Sequence, residues 1–287
     1  MRVLATVVAC LLALPGVALA ESPPSLRDIT SVRAAGMAGA TAGFAEDSDA
    51  IHVNPAGIAA GDHFNLGVNG FIDYPQRFYL FSAEAVDSKI NSDESFPISG
   101  GLSYLYYVSG KGFDAHKAHV AQLALSLPLY PKMLFVGLTT RYLHMAGNVV
   151  SNAVTMDAAV MVKLISLIGI SAQAYNMIGV NSAEAPRGFG FGVAVGKSKL
   201  FQVDADVRLD EDLTHTYQPT LKVGAEYLIA DVVAPRLGYA EDRFRGAHLL
   251  CAGVTVQVEG WAIEVSYQHA IGGQEMNVGI ALRLLDI

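Results

Sequence analysis

The sequence predicts an all-β fold: a membrane-spanning antiparallel β-barrel of about fourteen strands, preceded by a small N-terminal plug. Three observations carry this reading. The chain opens with the pattern of a secretion signal, it is 52% hydrophobic and only 16% charged with no helix-length apolar stretch after that signal, and from Phe64 onward it falls into short alternating segments. Those segments are separated by turn-forming residues, as barrel strands are.

The elements follow in order. Met1 and Arg2 precede an apolar run from Val3 to Ala20, broken only by Thr6, Pro15 and Gly16, and Ala18-Leu19-Ala20 stands just before Glu21-Ser22. A positive start, an apolar middle and small residues at the end predict a signal peptide over residues 1–20, cleaved after Ala20. Pro15 and Gly16 argue against a spanning helix, and Cys10 comes too early for a lipidation site. Cleavage removes Arg2 and no acid, so the net charge moves from −8 to −9. An acidic chain of this kind has no electrostatic footprint for nucleic acid. Cys251 is then the single cysteine, which rules out an internal disulfide.

Residues 21–62 form the predicted plug segment. Gly36, Gly39, Gly43 and Gly57 are interleaved with alanines, so backbone can approach backbone closely. Asn54 before Pro55 reads as a helix cap with proline at the first helical position, giving a short turn that includes Ala56 and Gly57. Such a segment suits a barrel lumen, and equally a small-residue helix packed on a soluble core.

The barrel, residues 63–287, divides into segments 64–73, 76–86, 98–108, 118–127, 133–144, 154–163, 167–177, 187–196, 200–209, 218–228, 233–240, 248–258, 260–269 and 275–285. Alternation within them separates two faces. In the ninth, Phe201, Val203, Ala205 and Val207 oppose Gln202, Asp204, Asp206 and Arg208; in the thirteenth, Trp261, Ile263, Val265 and Tyr267 oppose Ala262, Glu264, Ser266 and Gln268. A soluble sheet with one wet face alternates likewise, but fourteen such segments behind a secretion signal favour a barrel wall. Even-numbered connections are mostly short and odd-numbered ones longer, as two unlike rims require. Aromatics near segment ends, Tyr74, Phe78, Tyr79, Tyr106, Tyr107, Tyr130, Tyr142, Tyr217 and Tyr239, are candidates for interfacial girdles. The alternation assigns Arg141, Asp157, Lys163, Asp204, Asp206, Arg208, Lys222, Glu226, Glu264 and Arg283 to the lumen, where mixed charges either pair and anchor a plug or line a path.

The runs R-A-A-G-M-A-G-A from Arg33, A-E-D-S-D-A from Ala45 and N-P-A-G-I-A from Asn54 resemble the N-terminal region of the FadL-like outer-membrane superfamily, in its PorV/PorQ-like branch. Val136–Leu143 and Leu221–Leu228 are similar to strands of that branch. The resemblance implies a fourteen-stranded barrel with a plugged lumen in the outer membrane of a Gram-negative bacterium. It also implies a passive channel for hydrophobic small molecules, with ligand leaving through a gap in the wall. Gly100-Gly101 is the candidate kink for such a gap. The alternative is a PorV-like platform that hands secreted cargo to a partner protein. The chain departs from the pattern in its short mature length and its non-aromatic end, Leu284-Leu285-Asp286-Ile287.

No nucleophile elbow, phosphate loop, dinucleotide fingerprint or zinc-helix motif is present, so an enzyme is not expected and no cofactor is implied. Asp204, Asp206 and Asp210 lack the contiguous loop of a calcium hand. His116 and His119, read as loop residues, do not make a metal site. The expected partners are outer-membrane lipid, a hydrophobic ligand and, under the alternative reading, a secretion partner.

Overall fold

The computed structural model describes residues 26–73, 78–89, 98–110, 116–130, 133–146, 151–164, 167–178, 184–197 and 200–285. The predicted signal peptide, Tyr74-Pro75 and Asp286-Ile287 lie outside these residues.

Fourteen strands close on themselves: β1 Phe64–Asp73, β2 Phe78–Asp87, β3 Ser99–Ser109, β4 His116–Tyr130, β5 Leu134–Ala146, β6 Ser151–Leu164, β7 Ile168–Tyr175, β8 Gly188–Lys197, β9 Phe201–Glu211, β10 Tyr217–Tyr227, β11 Val233–Asp242, β12 Ala247–Val258, β13 Trp261–Ala270 and β14 Met276–Leu285. Each pairs antiparallel with its sequence neighbours, and β1 pairs with β14 from Asn65↔Leu285 to Asp73↔Asn277, which removes the last free edge. All fourteen predicted segments are strands, with ends shifted by a few residues. His116 and His119 lie in β4 rather than in a loop. The fourth strand runs on to Tyr130, and the β4–β5 ladder shifts register between Pro128 and Tyr130, where proline has no N–H to donate.

The period-two pattern places apolar side chains outward and polar ones inward. Phe201, Val203, Ile263, Val265, Ile280 and Leu282 are exposed on the outside, while Gln202, Asp204, Glu264, Ser266 and Arg283 are buried within. An apolar exterior around a polar interior inverts the arrangement of a soluble protein and is what a lipid-facing wall requires. No helix among the described residues is long and apolar enough to cross a membrane. Strands do the crossing. Tyr79, Tyr130, Tyr142 and Tyr217 face outward near strand ends as girdle residues, but Phe78 and Tyr107 do not. These two are buried inside, edge to face with centroids 5.3 Å apart, because strand parity turns them toward the lumen.

The segment before β1 fills the lumen with two short helices, α1 Val32–Gly36 and α2 Asp49–Val53, and three 3-10 turns, Leu26–Asp28, Ala42–Phe44 and Pro55–Ala60. Ser31 caps α1, its hydroxyl accepting from Ala34 N at 3.1 Å. With helices this short, tertiary contacts hold the segment together. Its path runs from Arg27, beside the ends of β9, β10 and β11, down to Ile58, whose carbonyl accepts from Ser88 Oγ at 2.6 Å just beyond β2. It therefore spans the lumen from the rim of the odd-numbered hairpins, here the loop rim, to the opposite turn rim.

Val203→Arg places a charge on the outer wall and is expected to cost roughly 2 to 4 kcal/mol near the bilayer midplane. Urea titration in lipid vesicles should show a lower midpoint for Val203→Arg and little change for Val203→Leu. Equal midpoints for the two variants would refute a lipid-facing outer wall.

Candidate functional site

Close packing between plug and wall depends on missing side chains. A Cβ on wall residue Gly137 would stand 2.3 Å from Ala56 N, one on Gly169 would stand 2.0 Å from Gly43 O, and one on Gly238 would stand 2.3 Å from the Met37 carbonyl carbon. Each glycine is a socket into which plug backbone sits. Gly101 receives the Ile51 side chain, whose Cδ1 would be 2.9 Å from a Cβ there. The reading of Gly100 and Gly101 as a kink is therefore corrected. Gly100 pairs with Asp87 and Leu125, and Gly101 with Val86 and Ala124, in unbroken register on both sides. The absent side chain admits the plug from inside and leaves the ladder intact.

Ion pairs then fix the plug's orientation. Arg27 bonds Asp210 at 2.6 Å and Asp242 at 2.7 Å and donates to Thr220 Oγ1 at 2.6 Å. Arg33 bridges Glu226 at 2.9 Å and Asp49 at 2.8 Å, and Asp49 also pairs with Arg283 of β14. Burial alone would raise the Asp49 pKa, but Arg283 and Arg33 outweigh it and hold the carboxyl well below its usual range. His52 meets Glu84 at 2.7 Å, and Lys163 meets Glu46 at 2.7 Å. Removing one partner of such a pair leaves an uncompensated buried charge, so each pair constrains where the plug sits.

The residues singled out by alternation occupy distinct places. Asp206 Oδ2 accepts from Thr41 N and Ala42 N, both at 3.0 Å. Asp204 accepts from Gln202 Nε2 at 2.5 Å. Arg208 bonds Asp210 at 2.9 Å and lies over the Tyr175 ring at 4.2 Å. Glu226 is shared by Arg33 and Arg236, and Glu264 by Arg283 at 3.3 Å and Thr255 at 3.1 Å. Arg141 and Asp157 pair with each other within the wall. Lys222 has no hydrogen bond or ion pair among the described residues and lines a cavity. In the turn motif, Asn54 Oδ1 accepts from Ala56 N at 3.2 Å while its Nδ2 donates to Ala42 O at 2.8 Å, so one side chain ties two parts of the plug together. Pro55 follows at the first position of its turn, and a Cβ on Gly57 would stand 2.0 Å from Ala45 O. The alternation missed Arg27, Arg33 and His52 because they belong to the plug, and it passed over Glu84, Asp242, Arg245 and Glu275. Asp242 falls beyond the predicted strand end, and Arg245 lies in the following turn.

The plug divides the lumen in two. One cavity lies toward the loop rim and another toward the turn rim. The lower one is charged, with Arg33, Glu226, Arg236, Glu264 and Arg283 around it. The upper one is two-sided. Arg208, Lys222, Asp242 and Arg245 line one side and Phe71, Phe78 and Leu80 another; these three belong to a buried apolar cluster on the inner wall of β1 to β5 that also holds Leu105, Tyr107, Val120 and Leu143. Leu26, Ile29 and Val32 of the plug segment pack into that cluster. Among the described residues no group of His, Cys, Asp and Glu is arranged to hold a metal.

No family model and no curated protein matches the sequence. Solved structures do match the fold. The CymD monoaromatic hydrocarbon channel superposes with a TM-score of 0.65 at 11% identity, over 90% of this chain and 97% of that one. The deltaS2S3 mutant of the TodX monoaromatic hydrocarbon channel gives 0.64 at 12%, over 90% and 99%. A Pseudomonas aeruginosa FadL homologue gives 0.59 at 11%, over 93% and 99%. The fold is that of the FadL-like barrels.

Asn54→Leu removes the cap and the tie to Ala42. It is expected to loosen the plug by roughly 0.5 to 2 kcal/mol while the closed wall persists. Hydrogen exchange should rise over residues 42–60, with heat-modifiable mobility unchanged; a variant that fails to form the barrel would make the motif a requirement of folding instead.

Proposed function

We propose that the chain is a passive outer-membrane channel for hydrophobic small molecules. The observation that carries it is the apolar inner wall of the upper chamber. A barrel that conducts water and ions keeps a polar lumen, yet here Phe71, Phe78 and Leu80 line the upper chamber, backed by buried Leu105 and Tyr107 and packed against the plug's Leu26 and Ile29. The likeness of the fold to hydrocarbon channels and a FadL homologue supports the same reading.

The route we infer leaves the wall between β6 and β7. Pairing there ends at Ala158↔Ala174 and continues only through Asn176 N to Asp157 Oδ1 and Met177 N to Met156 O, both at 2.8 Å. Above this, β6 from Ser151 to Thr155 has no partner strand on that side among the described residues. Ala153 of this stretch packs against the apolar cluster, so the short wall adjoins the chamber's greasy side. Signal cleavage after Ala20 would deliver the chain to this membrane. The plug motifs support the PorV/PorQ-like branch, within which a secretion partner remains the alternative role.

Uptake of toluene into proteoliposomes tests the proposal. The wild-type protein should admit it well above protein-free vesicles, with little ion conductance because the plug is seated. Leu80→Asp, which charges the inner wall without touching the lipid face, should lower uptake at least tenfold while the barrel stays heat-modifiable. No uptake by the wild type, or unchanged uptake in the variant, would overturn the channel reading.

A further inference from the structure

On the outer face of β3 to β6, just below the loop rim, one row of paired residues is polar where the rows beneath it are apolar. Register sets Tyr106 beside His119, His119 beside His144 and His144 beside Asn152 across four strands. Ring centroids of Tyr106 and His119 lie 4.9 Å apart, and those of His119 and His144 lie 5.9 Å apart. Exposed Lys117 stands two residues above His119 on the same face. Tyr104 and Tyr142 flank the row from below, and Leu102, Leu123, Leu125 and Leu138 continue the exposed surface toward the midplane.

The hydrogen bonds within this patch leave free donors on His119 and Asn152, while His144, donating through Nδ1, keeps Nε2 as an acceptor. The Tyr104 hydroxyl meets His119 Nδ1 at 2.6 Å; when it donates there, the imidazole proton sits on Nε2 as a free donor. Asn152 Oδ1 accepts from Tyr142 Oη at 3.0 Å and from His144 Nδ1 at 2.7 Å, so the amide of Asn152 retains its N–H groups. No carboxylate among the described residues faces outward from β3, β4, β5 or β6 above the turn rim, and Lys117 has no ion-pair partner there. The contrast lies across the barrel. Tyr239 and His248 bond at 2.9 Å at the same level, but beside them Glu241 pairs with Arg243 and supplies the anion locally.

We propose that this patch binds the phosphate of a lipid headgroup in the outer leaflet, with the lipid's acyl chains lying on the leucines below. Lys117, His119 and Asn152 provide the charge and donors that a phosphate accepts, and they sit where an aromatic belt marks the headgroup level. The proposal rests on the outer-membrane reading above, not on what the channel carries.

The test uses the intact mature protein in nanodiscs and reads retained lipid by native mass spectrometry. Nanodiscs contain phosphatidylcholine doped with either diphosphorylated lipid A or the same lipid stripped of phosphate. Wild-type protein should retain the phosphorylated form at least tenfold more, and the triple variant Lys117→Gln, His119→Gln, His144→Gln should lose that preference while keeping heat-modifiable mobility. His248→Gln, on the far side, should keep it. Equal retention of the two lipids, or an unaltered triple variant, would overturn the proposal and leave an ordinary aromatic girdle. Displacement of the lipid by 10 mM inorganic phosphate would overturn the lipid assignment in favour of free phosphate. A wild-type barrel that does not enter nanodiscs would count against the membrane reading instead.

Discussion

A wall that meets lipid has to satisfy every backbone N–H and C=O within itself, because hydrocarbon offers no partner. The β1–β14 ladder meets that constraint by joining the first strand to the last, and the rest of the structure depends on it. Once the sheet is closed, parity fixes inside and outside along each strand, except where the β4–β5 ladder shifts register at Pro128–Tyr130. The same closure makes an incomplete ladder informative. Where β7 stops short of β6 among the described residues, backbone groups need another partner or an aqueous or ligand-bearing space, and the apolar cluster adjoins that place.

A closed ring this wide leaves a lumen that side chains alone do not fill, and here a segment of the chain itself occupies it. Shape and charge divide the work. Wall glycines such as Gly137, Gly169 and Gly238 set how near the plug can come, while Arg27, Arg33, Asp49 and Arg283 set which way it faces. Buried ion pairs add little net stability beyond their desolvation cost, but a misplaced plug would strand several charges at once. The result is one seated arrangement in a lumen whose two chambers differ in chemistry.

That difference follows from the distribution of residue types around the ring. The charged side lies on β9 to β14 and meets the plug's arginines, whereas the inner faces of β1 to β5 near the loop rim are apolar. A hydrophobic molecule in the upper chamber therefore meets one greasy wall, bounded below by the plug and on the opposite side by ions. Leu26 and Ile29 already cover part of that wall, so a ligand would compete with the plug's own N-terminal residues for the same surface. Competition of this kind couples binding to plug position without any moving strand.

The sequence by itself determined the strand count, the outward and inward faces and the turn at Asn54-Pro55, because period-two alternation and helix capping are local and survive without knowledge of neighbours. It also marked Asp206, Glu226 and Arg283 as inward, since parity within one strand suffices. Their partners were decided only by tertiary structure: nothing local in Arg33 or Asp49 says that they meet each other and Glu226, a residue 193 positions away from Arg33. Phe78 and Tyr107 looked like girdle aromatics because they lie near strand ends, but parity along their own strands turns them inward, and only folding sets them edge to face with each other. Gly101 looked like a kink because paired glycines weaken a strand, but its cause stood opposite, in Ile51. Capping and alternation are properties of short stretches of chain; sockets and ion pairs are made by residues that only folding brings together.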